Sequence, residues 1–133
     1  MPILVDSNVL LDVLTEDPRW APWSMDALAE QADRDLLAIN PIIYAEVSIG
    51  FTRIEDVDAA LPPPTFHRLA LPWEAAFLAA KCFLAYRKRG GIRSSPLPDF
   101  YVGAHASVSG MRLLTRDAAR YRTYFPKLGL IAP

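Results

Sequence analysis

Three short aliphatic runs, each followed by a helix-like pattern, constrain this chain more than any other feature. They are Ile3-Leu4-Val5, Leu36-Leu37-Ala38-Ile39 and Leu113-Leu114. None alternates apolar with polar residues, and strands without alternation are buried on both faces, as in parallel sheets. After the first run, Asp6-Ser7-Asn8 favour a helix cap, and Val9, Leu10, Val13 and Leu14 recur at helical spacing. This reads as strand, tight turn, helix, the opening of a βαβ unit, with Pro18 closing the helix.

The same alternation continues. Residues 21–34 read as helix with Trp23, Leu28 and Ala32 facing inward. Pro41, a good first helical residue, starts a helix to about Gly50, with Ile42, Ala45 and Ile49 at helical spacing. Residues 54–60 make a short helix, Pro62-Pro63-Pro64 a stiff connector, and Phe66 to Leu71 a third strand. Residues 72–89 form the longest helix, whose basic end Arg87-Lys88-Arg89 suits the negative pole of its dipole. Gly90-Gly91 stops it, and 90–97 reads as a mobile loop. Pro98 to Gly110 is a helix rich in small residues, residues 117–124 a short helix, and Leu130-Ile131 a last strand. The expected fold is a three-layer α/β/α sandwich on a mostly parallel sheet of four to five strands.

At 133 residues the chain fits one domain, 1–133. Its start meets a carboxylate at Asp6 without a basic segment, unlike a signal peptide, and no apolar run approaches the roughly 20 residues that span a bilayer. Lone Cys82, among Ala79, Ala80, Phe83 and Leu84, reads as core filler in a reducing compartment, and the protein as cytoplasmic. The net charge of −1 conceals a division. Residues 1–80 carry four Arg against thirteen acids, a balance of −9; residues 81–133 carry ten Lys or Arg against Asp99 and Asp117, a balance of +8. Such asymmetry fits a surface that meets an anion such as nucleic acid, or two oppositely charged faces that merely solvate the fold.

Ligand sites in open α/β sheets lie beyond the carboxyl ends of the strands. Asp6 ends the first strand and Asp117 follows the fourth across Thr115-Arg116, so the two converge if those strands are neighbours. Asp99 sits in the first turn of its helix, where the dipole keeps a carboxylate ionised. Glu46 lies in the apolar stretch 41–50, with no cation at helical spacing to offset it. Taken singly, each has a plainer reading: Asp6 and Asp117 as helix caps, Asp99 as a favourable first-turn charge, Glu46 as a side chain in water. Taken together, four acids on strand ends and apolar helices repel one another unless a divalent cation compensates. Oxygen ligands without a His or Cys cluster suit Mg²⁺ or Mn²⁺ rather than zinc; His67 and His105 stand alone and read as structural or surface residues. Hard cations held by acids hydrolyse phosphodiesters by lowering the pKa of a water and neutralising charge on the phosphate. Nothing forms a serine or cysteine triad or a Gly-rich phosphate loop. A phosphatase using Asp6 as nucleophile would want a second Asp two residues on, where Asn8 stands.

At these residues the chain resembles the PIN domain, and within it the VapC toxins of bacterial toxin–antitoxin pairs. The resemblance rests on Asp6-Ser7-Asn8 after a first strand, Glu46 on a helix, Asp99 opening a small-residue helix, and Thr115-Arg116-Asp117 followed by Tyr121 and Phe125-Pro126. It implies a Mg²⁺- or Mn²⁺-dependent endoribonuclease, a homodimer, and inhibition by a small VapB-like antitoxin. It further implies Asp6 and Asp99 as main metal ligands, Glu46 and Asp117 completing the pocket directly or through water, and Ser7, Asn8 and Thr115 orienting the acids. Arg112, Arg116, Arg120, Arg122 and Lys127, or Arg87, Lys88, Arg89 and Arg93, would track an RNA backbone. Trp20, Trp23, Phe51 and Ile54 would supply an antitoxin groove or ordinary core. The alternatives are a PIN-fold RNA-processing nuclease without a toxin role, and a non-catalytic metal- or RNA-binding domain.

Overall fold

A computed structural model describes residues 1–133. Five strands form one sheet: β1 (Ile3–Val5), β2 (Leu37–Ile39), β3 (Phe66–Arg68), β4 (Arg112–Leu114) and β5 (Leu130–Ile131). Their order is β3-β2-β1-β4-β5 and every pairing is parallel. Leu4 is paired with Ala38 on one side and Leu113 on the other, so β1 is central. Successive strand residues point to opposite faces, yet Ile3, Leu4 and Val5 are all buried, as are Leu37, Ala38 and Ile39. Both faces are therefore covered by helices, which makes the three-layer sandwich. The chain lays β2 and β3 on one side of β1 and β4 and β5 on the other. Strand order thus reverses between β1 and β4, the place where such sheets open a crevice at their carboxyl edge.

Seven helices connect the strands: α1 (Ser7–Leu14), α2 (Ala21–Ala32), α3 (Pro41–Ser48), α4 (Ile54–Ala60), α5 (Trp73–Lys88), α6 (Pro98–Ser109) and α7 (Ala119–Tyr124). Pro18 does not close α1, which ends at Leu14; Asp17 Oδ1 accepts from the N–H groups of Arg19 and Trp20 and makes a separate turn before α2. On α2 the buried positions are Ser24, Ala27 and Gln31, while Trp23 and Leu28 are half-buried and Ala32 is exposed. The reason is polar: Ser24 Oγ donates to the buried Asp12 Oδ2 at 2.8 Å, which turns that face inward. On α3 Ile43 and Val47 face the core, Ile42 is half-buried, Ala45 is exposed, and Ile49 lies past the helix end in solvent. Asn40 sets this phase, its Oδ1 capping the N–H of Ile43 at 2.9 Å.

The small residues of α6 have a packing cause. A Cβ on Gly103 would sit 2.4 Å from the ring of Phe125, so only glycine lets that ring lie against the helix. Gly110 ends α6 in the left-handed region at φ 67°, a conformation glycine adopts without strain. Cys82 is buried in α5 and burial pushes its thiol pKa up, as suits core filler. His67 is exposed on β3, and His105 is buried against Asn40, so both are structural or surface residues. No helix is long and apolar enough to cross a membrane.

Candidate active site

Asp6, Asn40 and Thr115 each follow directly on the carboxyl end of a strand, β1, β2 and β4 respectively. Asp6 does cap α1, its Oδ1 accepting from the Ser7 N–H at 2.8 Å. Its other oxygen goes elsewhere: Oδ2 accepts from the hydroxyls of Thr115 at 2.9 Å and Tyr121 at 2.8 Å. The Tyr121 hydroxyl lies also 3.5 Å from Asp99 Oδ1, so one buried phenol bridges two carboxylates. Its single proton serves Asp6, the shorter contact. Glu46, half-buried on α3, does not point into open water; its Oε1 accepts from the Ser7 hydroxyl at 3.0 Å. Asn8 spans to the loop after β4, donating to Thr115 Oγ1 at 3.3 Å and accepting the Arg116 N–H at 3.1 Å. Asp117 is exposed and is not a helix cap: Ala118 holds that position and makes no side-chain bond.

Burial is the largest influence on the acids. Asp6, 3% exposed, has its carboxyl pKa raised to about 6 by desolvation, with the charges of Asp99 and Glu46 adding to it and the two hydroxyl donors opposing. Glu46 is raised by burial and by the charge of Asp99. Asp99 is raised too, by burial first, against the attraction of Arg120. Its place in the first turn of α6 thus does not hold Asp99 at the ordinary carboxyl pKa, because desolvation raises it. Burial and the surrounding carboxylates push Tyr121 well above its ordinary value, so it stays a proton donor. Asp6, Glu46 and Asp99 therefore share one electrostatic site, and Asp117 reaches it through its charge on Asp99.

The family model of the PIN domain matches residues 3–126. The chain belongs to the PIN domain family. No curated protein matches it. Among solved structures, VapBC2 from Rickettsia felis bound to a promoter DNA fragment matches with a TM-score of 0.75 and 17% identity, covering 100% of this chain and 99% of that one. VapBC-1 from nontypeable Haemophilus influenzae matches with a TM-score of 0.74 and 18% identity over 99% and 98% of the two chains. A toxin–antitoxin complex from Klebsiella pneumoniae follows with a TM-score of 0.65, 22% identity, and coverage of 97% and 95%. At such identities the likeness concerns the fold.

PIN-domain nucleases generally use divalent metals, and the donors here can be tested against one. No three His, Cys, Asp or Glu side chains stand close enough to enclose an ion. That arrangement fits Mg²⁺, which is commonly held by one or two carboxylates and keeps several waters. Asp6 and Asp99, both in contact with the Tyr121 hydroxyl, are the carboxylates that could hold such an ion, and oxygen-only donors agree with a hard cation.

Of the basic residues expected beside the acids, Arg120 pairs with one, its Nη1 3.4 Å from Asp99 Oδ2. Arg112 begins β4 and lies at the amino end of the sheet, away from Asp6, where it pairs loosely with Asp35 at 3.9 Å. Arg116 is committed inward, its guanidinium gripping Asp12 with bonds of 2.9 and 3.1 Å. Of the expected groove residues, Trp23 and Phe51 pack on the core, and Trp20 lies under the guanidinium of Arg116. Ile54 alone borders an apolar cleft, of about 290 Å³, with Ile39, Pro41, Tyr44, Arg68 and Leu69. A larger depression of about 430 Å³, near Met111 and Phe125, is remote from the acids.

Two residues without an assigned role prove central. Tyr121 is recognisable only as part of a motif, although a buried tyrosine ordinarily needs a partner for its hydroxyl. Asp12 is legible as an acid between Leu11 and Val13, yet its partner Arg116 is 104 positions away.

Proposed function

We propose that this chain is a divalent-metal-dependent endoribonuclease and the toxin of a toxin–antitoxin pair. The observation that carries the reading is the convergence of Asp6 and Asp99 on one buried phenol at the sheet's switch point, within electrostatic reach of Glu46 and Asp117. Asp6 and Asp99 would hold Mg²⁺ or Mn²⁺ directly, and Glu46 and Asp117 through water. The cation would supply charge neutralisation at the phosphate and activation of a water. Thr115 and Tyr121 steady Asp6 Oδ2, and Ser7 steadies Glu46 Oε1, leaving Glu46 Oε2 free to accept a proton. Asn8 holds Thr115 and the backbone of Arg116, and so the loop that carries Asp117. Arg120 is the cation placed to meet an RNA phosphate once Asp99 has another partner.

The partners follow from the same reading. Several of the solved structures it resembles are VapBC or toxin–antitoxin complexes, which supports a small VapB-like antitoxin for this chain. The cleft before Ile54 is where an apolar anchor of that partner would enter. A second copy would cover Trp73, Phe77 and Leu84, which recur along one exposed stripe of α5. With an RNA substrate and an antitoxin encoded beside it, the chain would act in the cytoplasm.

The test is cleavage of a structured RNA pool by the purified protein with Mg²⁺, with Mn²⁺ and with EDTA, beside Asp99→Asn. Cleavage that requires metal and disappears in Asp99→Asn is expected. Folded protein, free of co-purified inhibitor, that leaves RNA intact with either metal would refute the nuclease reading.

A further inference from the structure

Asp99 and Asp117 line a cleft of about 410 Å³ whose other walls are Tyr86, Ala119, Arg120, Thr123 and Tyr124. The metal-site reading accounts for the acids at its inner end and leaves its outer walls unused. Tyr86 and Tyr124 are half-buried, and both rest edge-on against the buried ring of Phe100, at centroid distances of 5.7 and 5.1 Å. Neither hydroxyl has a hydrogen-bond partner within the protein, unlike those of Tyr44 and Tyr121. The guanidinium of Arg89 lies 5.2 Å from the centre of the Tyr124 ring. The walls thus offer two anchored phenols with free hydroxyls and the Arg120 guanidinium beside the acids, with Arg89 packed against the Tyr124 ring.

A phosphate alone would be met by the cations and would have no use for the aromatic walls. A purely apolar side chain would leave the phenol hydroxyls and guanidinium groups without partners. A planar heteroaromatic ring that also hydrogen-bonds uses all of them, and it arrives next to a phosphate when it is a nucleobase. We propose that the Tyr86–Tyr124 cleft is a nucleobase subsite, taking the base adjacent to the phosphate that lies over Asp6 and Asp99. The inference rests on the nuclease reading for the role of that phosphate, and on the cleft itself for the base. A base stacked inside a duplex cannot enter a side cleft, so the nucleotide beside the cut is unpaired or turned out of its helix. Sequence preference at that one position then arises from the phenol hydroxyls, while Arg120 meets the phosphate and positions beyond it are held by their backbone.

The experiment titrates the full chain, in Mg²⁺ and separately in EDTA, with 5′-AMP, 5′-GMP, 5′-CMP and 5′-UMP, and with ribose 5-phosphate and inorganic phosphate as baseless controls. NMR reads the dissociation constant and the ring resonances of Tyr86 and Tyr124. At least one nucleotide is expected to bind about 5-fold or more tighter than ribose 5-phosphate, the lower end of what stacking one base contributes. It should shift both tyrosine rings, and the controls should shift neither. Tyr124→Leu should bring nucleotide binding down to that of ribose 5-phosphate, and Tyr124→Phe should keep the aromatic part. Equal binding of ribose 5-phosphate and every nucleotide, no binding of any, or unshifted tyrosine rings in the wild type would overturn the subsite, whether or not Tyr124→Leu folds. Metal-dependent RNA cleavage without base-dependent binding removes the subsite and leaves the nuclease. Base-dependent binding without cleavage does the reverse.

Discussion

Replacing Asp6 by Asn removes a charge that the fold accommodates poorly. The residue is 3% exposed and its pKa stands at about 6, above the ordinary 3.8, because burial disfavours the ionised form. The folded state therefore binds this proton more tightly than the unfolded chain does. Ionising Asp6 costs stability, negligibly below pH 3.8, increasingly as pH rises toward 6, and fully above it. The two-unit gap corresponds to about 3 kcal/mol at pH 7.5 and well under 1 kcal/mol near pH 4. Asn keeps an acceptor for the Ser7 N–H, and its amide can donate to the Thr115 or Tyr121 hydroxyl, so the substitution loses about 1 kcal/mol of hydrogen bonding at every pH. In EDTA, Asp6→Asn should then be more stable than wild type by about 2 kcal/mol near pH 7.5, and equal or slightly less stable near pH 4. Urea unfolding of both proteins at the two pH values measures this difference of differences, in which the constant terms cancel. A gap that stays the same at both pH values, or that favours wild type more strongly at the higher one, would refute the claim that Asp6 is held under strain.

Other perturbations read other parts of the structure. Arg116→Ala strands the buried Asp12 without its bidentate partner and should cost about 2–4 kcal/mol by urea unfolding, while Arg112→Ala should change stability by less than about 0.5 kcal/mol and leave RNA cleavage intact. Gly103→Ala puts a methyl group 2.4 Å from the Phe125 ring and should lower stability by about 1–3 kcal/mol, read as a fall in melting temperature. Phe77→Glu charges the exposed stripe of α5; light scattering should find a dimer for the wild type and a monomer for the variant.

The elements of this fold were legible because each is specified by neighbours in sequence. Aliphatic runs without alternation read as strands buried on both faces, and Pro41, Pro98 and Gly110 mark helix ends by their own backbone chemistry. Helix phase was harder to read. The inward faces of α2 and α3 differ from those the spacing suggests, since Ser24 is drawn inside by Asp12 and Asn40 fixes where α3 begins. Hydrophobic spacing says which stripe is apolar, but a buried polar pair across two helices can turn that stripe, and such a pair has no periodic signal.

The site divides along the same line. The placement of Asp6, Thr115 and Asp117 beyond strand ends needs only strand boundaries and the parallel order, and both could be read locally. What holds those groups in place could not. Tyr121 reaches Asp6 across 115 positions, and Arg116 reaches Asp12 across 104. Nothing near Arg116 in sequence says that its guanidinium turns inward, so an arginine between Thr115 and Asp117 reads most simply as a phosphate contact. The buried Asp12 holds the Arg116 Nε and Nη2 instead, because an unpaired carboxylate beneath the surface is costly. Arg112 is kept from the acids for a directional reason instead. It stands at the start of β4, and a parallel sheet places its chemistry at the strand ends. Charge composition points to a basic half of the chain, but which cations border the acids is set by strand direction and by buried partners.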